Sequence, residues 1–455
     1  MEFVTEPAKQ IPVYAETDLC VIGGSATGVF AAVRAARLGL KVLLIEMDNA
    51  LGGVAGNALI NVWHSYHNMT GTAQVISGLT QEVSDRLHAQ GLEVEDGAPP
   101  DKPYRRSHKF NPHELKIELD LLCKEAGVKT LFHTMYCGLN KDGNRITHIY
   151  VANKDGISAI RARFFIDASG DGDLARDFGI ESFRNDNIQP PSPSYLVQGR
   201  FSKENIGTLI AKYQDEVDLK PDWGWSTFVP GLDDIIMHAD THIFDLHCEK
   251  ADDLSFAEIE GRRQIRECLK LMRNHGNKNK TYGLVSLYSH IGIRDTVHYQ
   301  TIYQANHLEL MLGTRYDDCI LNGTYVSDVH LKEGGITFRG FDGTYVTELP
   351  NGKKVRGSWW KEMGVPADHE VPTHYSLPFR AIVPETAENF IAAGRMLNAD
   401  IGAFGALRVM VNLNQIGEAA GVAAYLALNG DTTVQKLDGV KVAKLLSKGG
   451  SANLG

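Results

Sequence analysis

The sequence has little of three things, and each shortage excludes something. Its six cysteines (Cys20, Cys123, Cys137, Cys248, Cys268, Cys319) are scattered, with no C-x-x-C pair and no metal-ligand spacing, so neither a disulfide-stapled scaffold nor a metal site is expected. Positive charge is in deficit: Lys+Arg 46 against Asp+Glu 56 gives a net charge of -10, which argues against a chain devoted to nucleic acid. No apolar run approaches the roughly 18 to 20 residues of a bilayer span. The opening stretch MEFVTEPAKQIPVYAETD mixes acids and bases without an apolar h-region, so the expected compartment is the cytoplasm, without membrane insertion. Internal repeats and low-complexity tracts are also missing.

What is present is length and glycine. A chain of 455 residues points to two or three domains. Its 45 glycines are about a tenth of the residues, against a usual share of roughly 7%. Part of that excess stands where it carries chemistry. The apolar run Asp18 to Ile22 leads into Gly23-Gly24-Ser25-Ala26-Thr27-Gly28, then into VFAAVRAARLGL, whose apolar and alanine positions recur at helical spacing. A second strand-like run, Lys41 to Ile45, ends at Glu46, 18 residues after Gly28. Strand, glycine turn, helix, strand and acid make a dinucleotide-binding unit. The helix N-terminus offers free N–H groups to a pyrophosphate, the glycines let the backbone approach it, and the acid meets a ribose hydroxyl. Ser25 stands where the second glycine of the usual pattern would be.

A second glycine cluster, Gly52-Gly53-Val-Ala-Gly56-Asn57, follows the acid directly. In this the chain resembles FAD proteins of the glutathione-reductase and succinate-dehydrogenase type, whose loop after the acid wraps the pyrophosphate and ribityl chain. RARFFIDASGDGD (161–173) is similar to another strand of those proteins, and NFIAAGRMLNADIGAFGALRVMVNLNQIGEAAGVAAY (389–425) to their last FAD segment. The arm EPAKQIPV, the run Gly292-Ile293-Arg294-Asp295-Thr296 and the element Tyr375-Ser376-Leu377-Pro378-Phe379-Arg380 complete a resemblance, from about residue 4 to residue 450, to the FAD-dependent oxidoreductase family related to succinate dehydrogenase and fumarate reductase flavoproteins. Where family members often continue the Arg-acid-Thr motif with two arginines, this chain has Val297-His298.

The resemblance implies an α/β fold: a Rossmann-like FAD-binding domain (1–180 plus 376–455) interrupted by an α+β substrate or cap domain (181–375). It implies cofactor contacts from Gly23, Gly24, Ser25, Ala26, Thr27, Gly28, Glu46, Gly52, Gly53, Met135, Ser169, Gly170, Gly394, Arg395, Gly405 and Arg408, with Met135 at the adenine edge. A helix starting near Gly405 to Arg408 is expected to point its dipole at the flavin. Locally, TLFHTMY (130–136) reads as one strand, Ser255 to Asn274 as a helix, 334 to 357 as hairpin-like, and LDGVKVAKLLSKGG as a short amphipathic helix.

The chemistry expected is hydride transfer between a small polar organic substrate and FAD, in a dehydrogenase or oxidase. Histidines next to the cofactor-like segments, His64 and His374, can serve as bases, and Arg294 and Arg380 present guanidinium forks to a polar or anionic group. His67 and Tyr375 lie in the same segments. Trp223-Gly224-Trp225 is similar to the start of a flavin-halogenase segment, with a proline two residues farther on than that segment has, and reads as an aromatic wall. A flavin-dependent monooxygenase or halogenase, and a non-catalytic FAD-binding redox sensor, stay open beside the oxidoreductase reading. The partners expected are a small-molecule substrate and an electron acceptor of unassigned identity, with homo-oligomer formation left open.

Overall fold

In the computed structural model, residues 2–5, 7–97, 106–199 and 206–449 are described. Ten residues of extended character form β1 (Val13–Ile22), the axis of a seven-stranded sheet. Its apolar end is buried between α1 (Ala26–Arg37) and the opposite layer, as expected of a strand covered on both faces. β2 (Val42–Ile45) and Lys129–Leu131 lie parallel on one side of β1, and the long strand Gly156–Asp167 lies parallel on the other. The first half of that long strand also pairs antiparallel with Arg145–Asn153, while its last three residues pair in parallel with Phe390–Ala392, a strand from the far end of the chain.

The strand ends are tied in step. Gly23 N–H donates to Ile45 O at 2.9 Å, Glu46 N–H to Leu131 O at 2.9 Å, Ala168 N–H to Ile22 O at 2.7 Å and Ala393 N–H to Asp167 O at 2.8 Å. Each parallel strand therefore releases its following loop at one edge, the place where open α/β sheets bind ligands.

Helix Met410–Asn429 packs along α1 at very short range, which only small side chains allow. A Cβ on Gly417 would collide with Thr27 O, and one on Gly421 with Ala31 O. Between the helices Arg34 pairs with Glu418, whose other oxygen accepts from Leu79 N–H at 3.0 Å.

The middle of the chain adds two four-stranded antiparallel sheets. One orders Trp225–Phe228, Ile235–Ala239, Tyr195–Gln198 and Gly283–Leu287, and the 25-residue helix Ala251–His275 shares its apolar core. The other is the meander Ser327–His330, Ile336–Arg339, Thr344–Glu348 and Lys354–Ser358. Ala305, Ile320, Phe341 and Trp359, all within the expected insertion, share the hydrophobic core of α1 and helix Met410–Asn429, while residues around 195–293 form a core of their own.

Local expectations meet mixed outcomes. The helix read from Ser255 to Asn274 begins earlier, at Ala251, and the hairpin-like stretch is three strands of the meander. TLFHTMY is two strands, not one: Lys129–Leu131 ends, His133 takes a φ of 48°, and Met135–Asp142 starts in a new direction. The terminal helix forms over Gly439–Lys448 with Val442, Ala443 and Leu446 buried.

Candidate active site

The loops released by the parallel strands line a cavity of about 1200 Å3 that continues between the two added sheets. This exceeds the roughly 300–1,000 Å3 of ordinary ligand pockets and leaves room for a dinucleotide and a second molecule.

At the outer end stands the glycine turn. Gly23 has a φ of +96°, and a Cβ there would collide with Ala168 O. Gly28 packs so tightly that its Cβ would strike Gly23 O. Ser25 caps α1, its Oγ accepting from Gly28 N–H at 3.3 Å, and Ser25, Ala26 and Thr27 face the cavity. Gly24 lies behind this surface, its N–H donating to Glu46 Oε2 at 2.5 Å, while Oε1 accepts from Asp48 N–H at 2.7 Å. Burial raises the Glu46 carboxyl above its usual range against the pull of those two donors.

Gly52 N–H donates to Gly24 O at 2.8 Å, and with Gly53 it closes the floor. Met135, Ser169, Gly170, Gly394 and Arg395 also line the cavity. A Cβ on Gly170 would collide with Arg395 Nη1, and Arg395 Nη2 donates to Asp171 Oδ1 at 2.6 Å while its Nε is buried without a partner. A glycine cradle, a helix N-terminus, a carboxylate at the second strand's end and a guanidinium with a spare donor are the parts an FAD needs, and the residues fit that cofactor.

At the inner end the structure gathers His64, Arg294 and Arg408 with groups that sequence reading missed: Tyr325, Asp328 and His330, with His242 and Asp222 behind them. Arg408 pairs with Asp328, which also accepts from Tyr325 OH. The His64 ring lies 4.1 Å from that of Tyr325, and burial pushes His64 down to about 4. Arg294 Nη1 donates to Pro190 O at 2.9 Å and Ser192 Oγ at 2.7 Å, both neutral acceptors; among the described residues the guanidinium has no anionic partner. Burial, and then Arg408, lower it to about 10. Trp223 forms part of the wall, edge-on to His330 and Phe338. Asp328 and His330 sit two apart in one strand and so face one side. That alternation was the signal available in YVSDVH.

Gly24 and Gly28, expected as cofactor contacts, brace the turn from outside the cavity lining, and three further expectations are corrected. Gly405 lies outside the cavity, because a Cβ there would press on Asp328 O at 2.5 Å; it serves the seating of helix Ile401–Leu407 on strand Ser327–His330. The helix start that reaches the cavity is Met410, one turn beyond the expected one, with Val409 as an N-cap that offers no side-chain hydrogen bond. His374 and Arg380 do not line the cavity. His374 is held by Thr373 at 3.0 Å and Arg315 at 3.2 Å. Arg380 donates to Asp318 at 2.8 Å with its guanidinium 5.1 Å from the Tyr303 and Tyr316 ring centres. Tyr375, one residue past His374, is fully buried and donates to Ala406 O at 3.1 Å.

The family model described as FAD dependent oxidoreductase matches residues 18–446. Among curated proteins, the chain is similar to the mitochondrial dihydrolipoyl dehydrogenase of Schizosaccharomyces pombe, 37% identical over 86 residues, 16% of this chain and 17% of that one. It is also similar to digeranylgeranylglycerophospholipid reductase 2 of Methanothermobacter thermautotrophicus, 29% identical over 168 residues, 36% of this chain and 42% of that one. The chain thus matches less than half the length of either curated relative. A solved structure of a geranylgeranyl bacteriochlorophyll reductase-like protein from Thermoplasma acidophilum is 13% identical with a TM-score of 0.46, covering 96% of this chain and 84% of that one.

Proposed function

The chain belongs to the family of FAD-dependent oxidoreductases, and from that premise we propose that it moves a hydride between FAD and a small polar organic substrate held in the inner chamber. A kinship with the succinate dehydrogenase and fumarate reductase flavoproteins is part of this proposal and rests on the order of the motifs. Bound FAD supplies the capacity to take or return a hydride; the remaining tasks belong to the chain.

The observation that carries the reading is Arg294. A guanidinium drawn out of water, open to a cavity and bonded only to neutral acceptors, is a fork prepared for a polar or anionic group. Arg408 keeps Asp328 occupied, so that carboxylate does not take the fork. Trp223, Phe338 and Val346 give the chamber an apolar wall. The N-terminus of helix Met410–Asn429, uncapped by any side chain, gives the same cavity a positive dipole end. In this reading the body around residues 195–293 covers the substrate. The physiological electron acceptor is a separate molecule.

The experiment is anaerobic mixing of the purified yellow protein with a panel of sugars, amino acids and hydroxy acids, following the flavin absorbance. One chemical class is expected to bleach it, and Arg294→Met is expected to retain FAD while slowing bleaching by about 10- to 100-fold. A flavin that no member of the panel bleaches, or an Arg294→Met protein as fast as wild type, would sink the reading.

A further inference from the structure

Behind Arg294 the chamber wall holds a group that the hydride reading leaves idle. Asp222, His242 and His330 come from three separate segments. His330 ends the strand Ser327–His330 and lines the cavity, its backbone pinned by Gln189 Oε1, which accepts its N–H at 2.7 Å, and by Asn187 Nδ2, which donates to its carbonyl at 2.6 Å. The His242 ring centre lies 4.3 Å from that of His330 at a tilt of 56°. His242 Nδ1 donates to Asp222 Oδ2 at 2.6 Å, and Asp222 Oδ1 accepts from Trp223 N–H at 2.7 Å and Gly335 N–H at 3.2 Å. The carboxylate thus fixes the tautomer: proton on Nδ1, lone pair on Nε2.

What separates this cluster from the other histidines with buried unsatisfied nitrogens, among them His108, His238 and His307, is that His330 lines the cavity. His242 Nε2 and His330 Nδ1 are buried with no hydrogen-bond partner, although the residues are only 5% and 1% exposed. His298, by contrast, satisfies both nitrogens, Nδ1 donating to Leu397 O at 2.8 Å and Nε2 accepting from Asn185 Nδ2 at 3.2 Å. The charges facing the pair come from several elements. Asp222 favours a proton on it, Arg294 and Arg408 oppose one, Asp328 is taken by Arg408, and Glu348 is engaged by Trp223 and Lys354. Burial is the largest influence and, with His242 beside His330 and the two arginines, holds both rings below the usual histidine range, so near pH 7 they are neutral and take a proton only when an opposing charge is cancelled.

We propose that His330 accepts the proton released when a substrate hydroxyl is oxidised, and that His242, oriented by Asp222, shares that proton. The step balances as follows: the substrate C–H bond breaks and leaves as hydride to FAD, the O–H bond breaks and its proton goes to His330, and the O–H electron pair becomes the second C–O bond. The substrate class is therefore an alcohol carrying a polar or anionic group for Arg294, a hydroxy acid being the simplest. An anion on Arg294 cancels the charge that opposes protonation, so substrate binding itself readies the pair. This rests on the inner chamber being the substrate site.

The test uses FAD-loaded protein with ¹⁵N-labelled histidine rings, titrated by NMR with and without acetate as the anionic probe. Expected are an Nδ1–H tautomer at His242, a gain of at least about tenfold in proton affinity of both rings in Arg294→Met, and the same gain in wild type with acetate. Asp222→Asn is expected to release the His242 tautomer. Rings that ignore Arg294→Met overturn the proposal whether or not acetate binds. Rings that respond while acetate fails to bind support the pair and count against Arg294 as the substrate's anchor. With a compound that bleaches the flavin, His330→Gln is expected to cut the reduction rate about 100-fold with its saturation constant within about threefold, and Asp222→Asn to displace the acid limb of the pH profile. Unchanged rates in His330→Gln overturn the proton role.

Discussion

Glu46 commits both carboxylate oxygens to backbone N–H groups, Oε2 to Gly24 and Oε1 to Asp48, yet each oxygen keeps a second lone pair for a ribose hydroxyl. Glu46→Ala removes the support of the glycine turn together with that acceptor. Hydrogen bonds to charged groups contribute about 1.5–3 kcal/mol, so FAD affinity is expected to fall at least about tenfold, measured by fluorescence titration of the apoprotein. Arg380 gives the opposite outcome. Its partners are Asp318 and two tyrosine rings at a partly exposed site, so Arg380→Ala should leave flavin reduction within about twofold of wild type, where Arg294→Met slows it strongly. The glycine turn and Glu46 were legible because a backbone approach leaves a mark in residue identity. Asp328 and His330 were not, because two polar residues facing inward from a short strand look like an ordinary exposed edge until the topology places them. His374 and Arg380 were misplaced for a related reason: adjacency to a cofactor segment in sequence says nothing of which way a side chain turns.

The two helices that frame the cofactor turn depend on each other. Gly417 and Gly421 let helix Met410–Asn429 touch the backbone of α1 at Thr27 and Ala31, and Thr27 belongs to the cavity lining. Gly417→Val must push Thr27 away, so both thermal stability and FAD retention are expected to drop, by calorimetry and by flavin content after gel filtration. Glu418→Ala acts on the same pair of helices by another route. It leaves Arg34 buried without its carboxylate and Leu79 N–H without an acceptor, which should cost about 3–5 kcal/mol in urea unfolding. Helix α1 was readable from its apolar and alanine spacing, and the long helix near the C-terminal end from the resemblance of residues 389–425 to an FAD segment. The break between Ile401–Leu407 and Met410–Asn429 was not, since apolar spacing runs through it; it falls at Val409, whose backbone is extended while that of Arg408 before it stays helical.

For the whole molecule, histidines held neutral by burial set the response to acid. His64 and His307 are lowered to about 4 from an unfolded value near 6.5, so between these values the unfolded chain binds more protons than the folded one. The stability these histidines contribute is full above about pH 6.5 and falls as the pH drops toward 4, by roughly 1 kcal/mol per pH unit for each group, and Asp167, raised by burial to about 6, offsets part of that fall below pH 6. A melting temperature that stays level from pH 7 to 4.5 would contradict this, and His307→Gln should flatten the decline. The α/β class and the Rossmann-like core were legible at this scale, because strand, turn, helix and acid occur within one local unit. The meeting of the two added sheets over that core was not, since it depends on pairings between residues far apart in the chain.

The strand Phe390–Ala392 completes its sheet against residues 165–167, which precede it by more than two hundred positions. During synthesis the long strand must wait, its edge bare and its glycine loops without Gly394 and Arg395, until residues 390–395 have emerged. Cofactor capture thus waits on a segment far along the chain, and a ribosome stalled before residue 390 would display a nascent chain lacking that strand and two groups of the cavity lining.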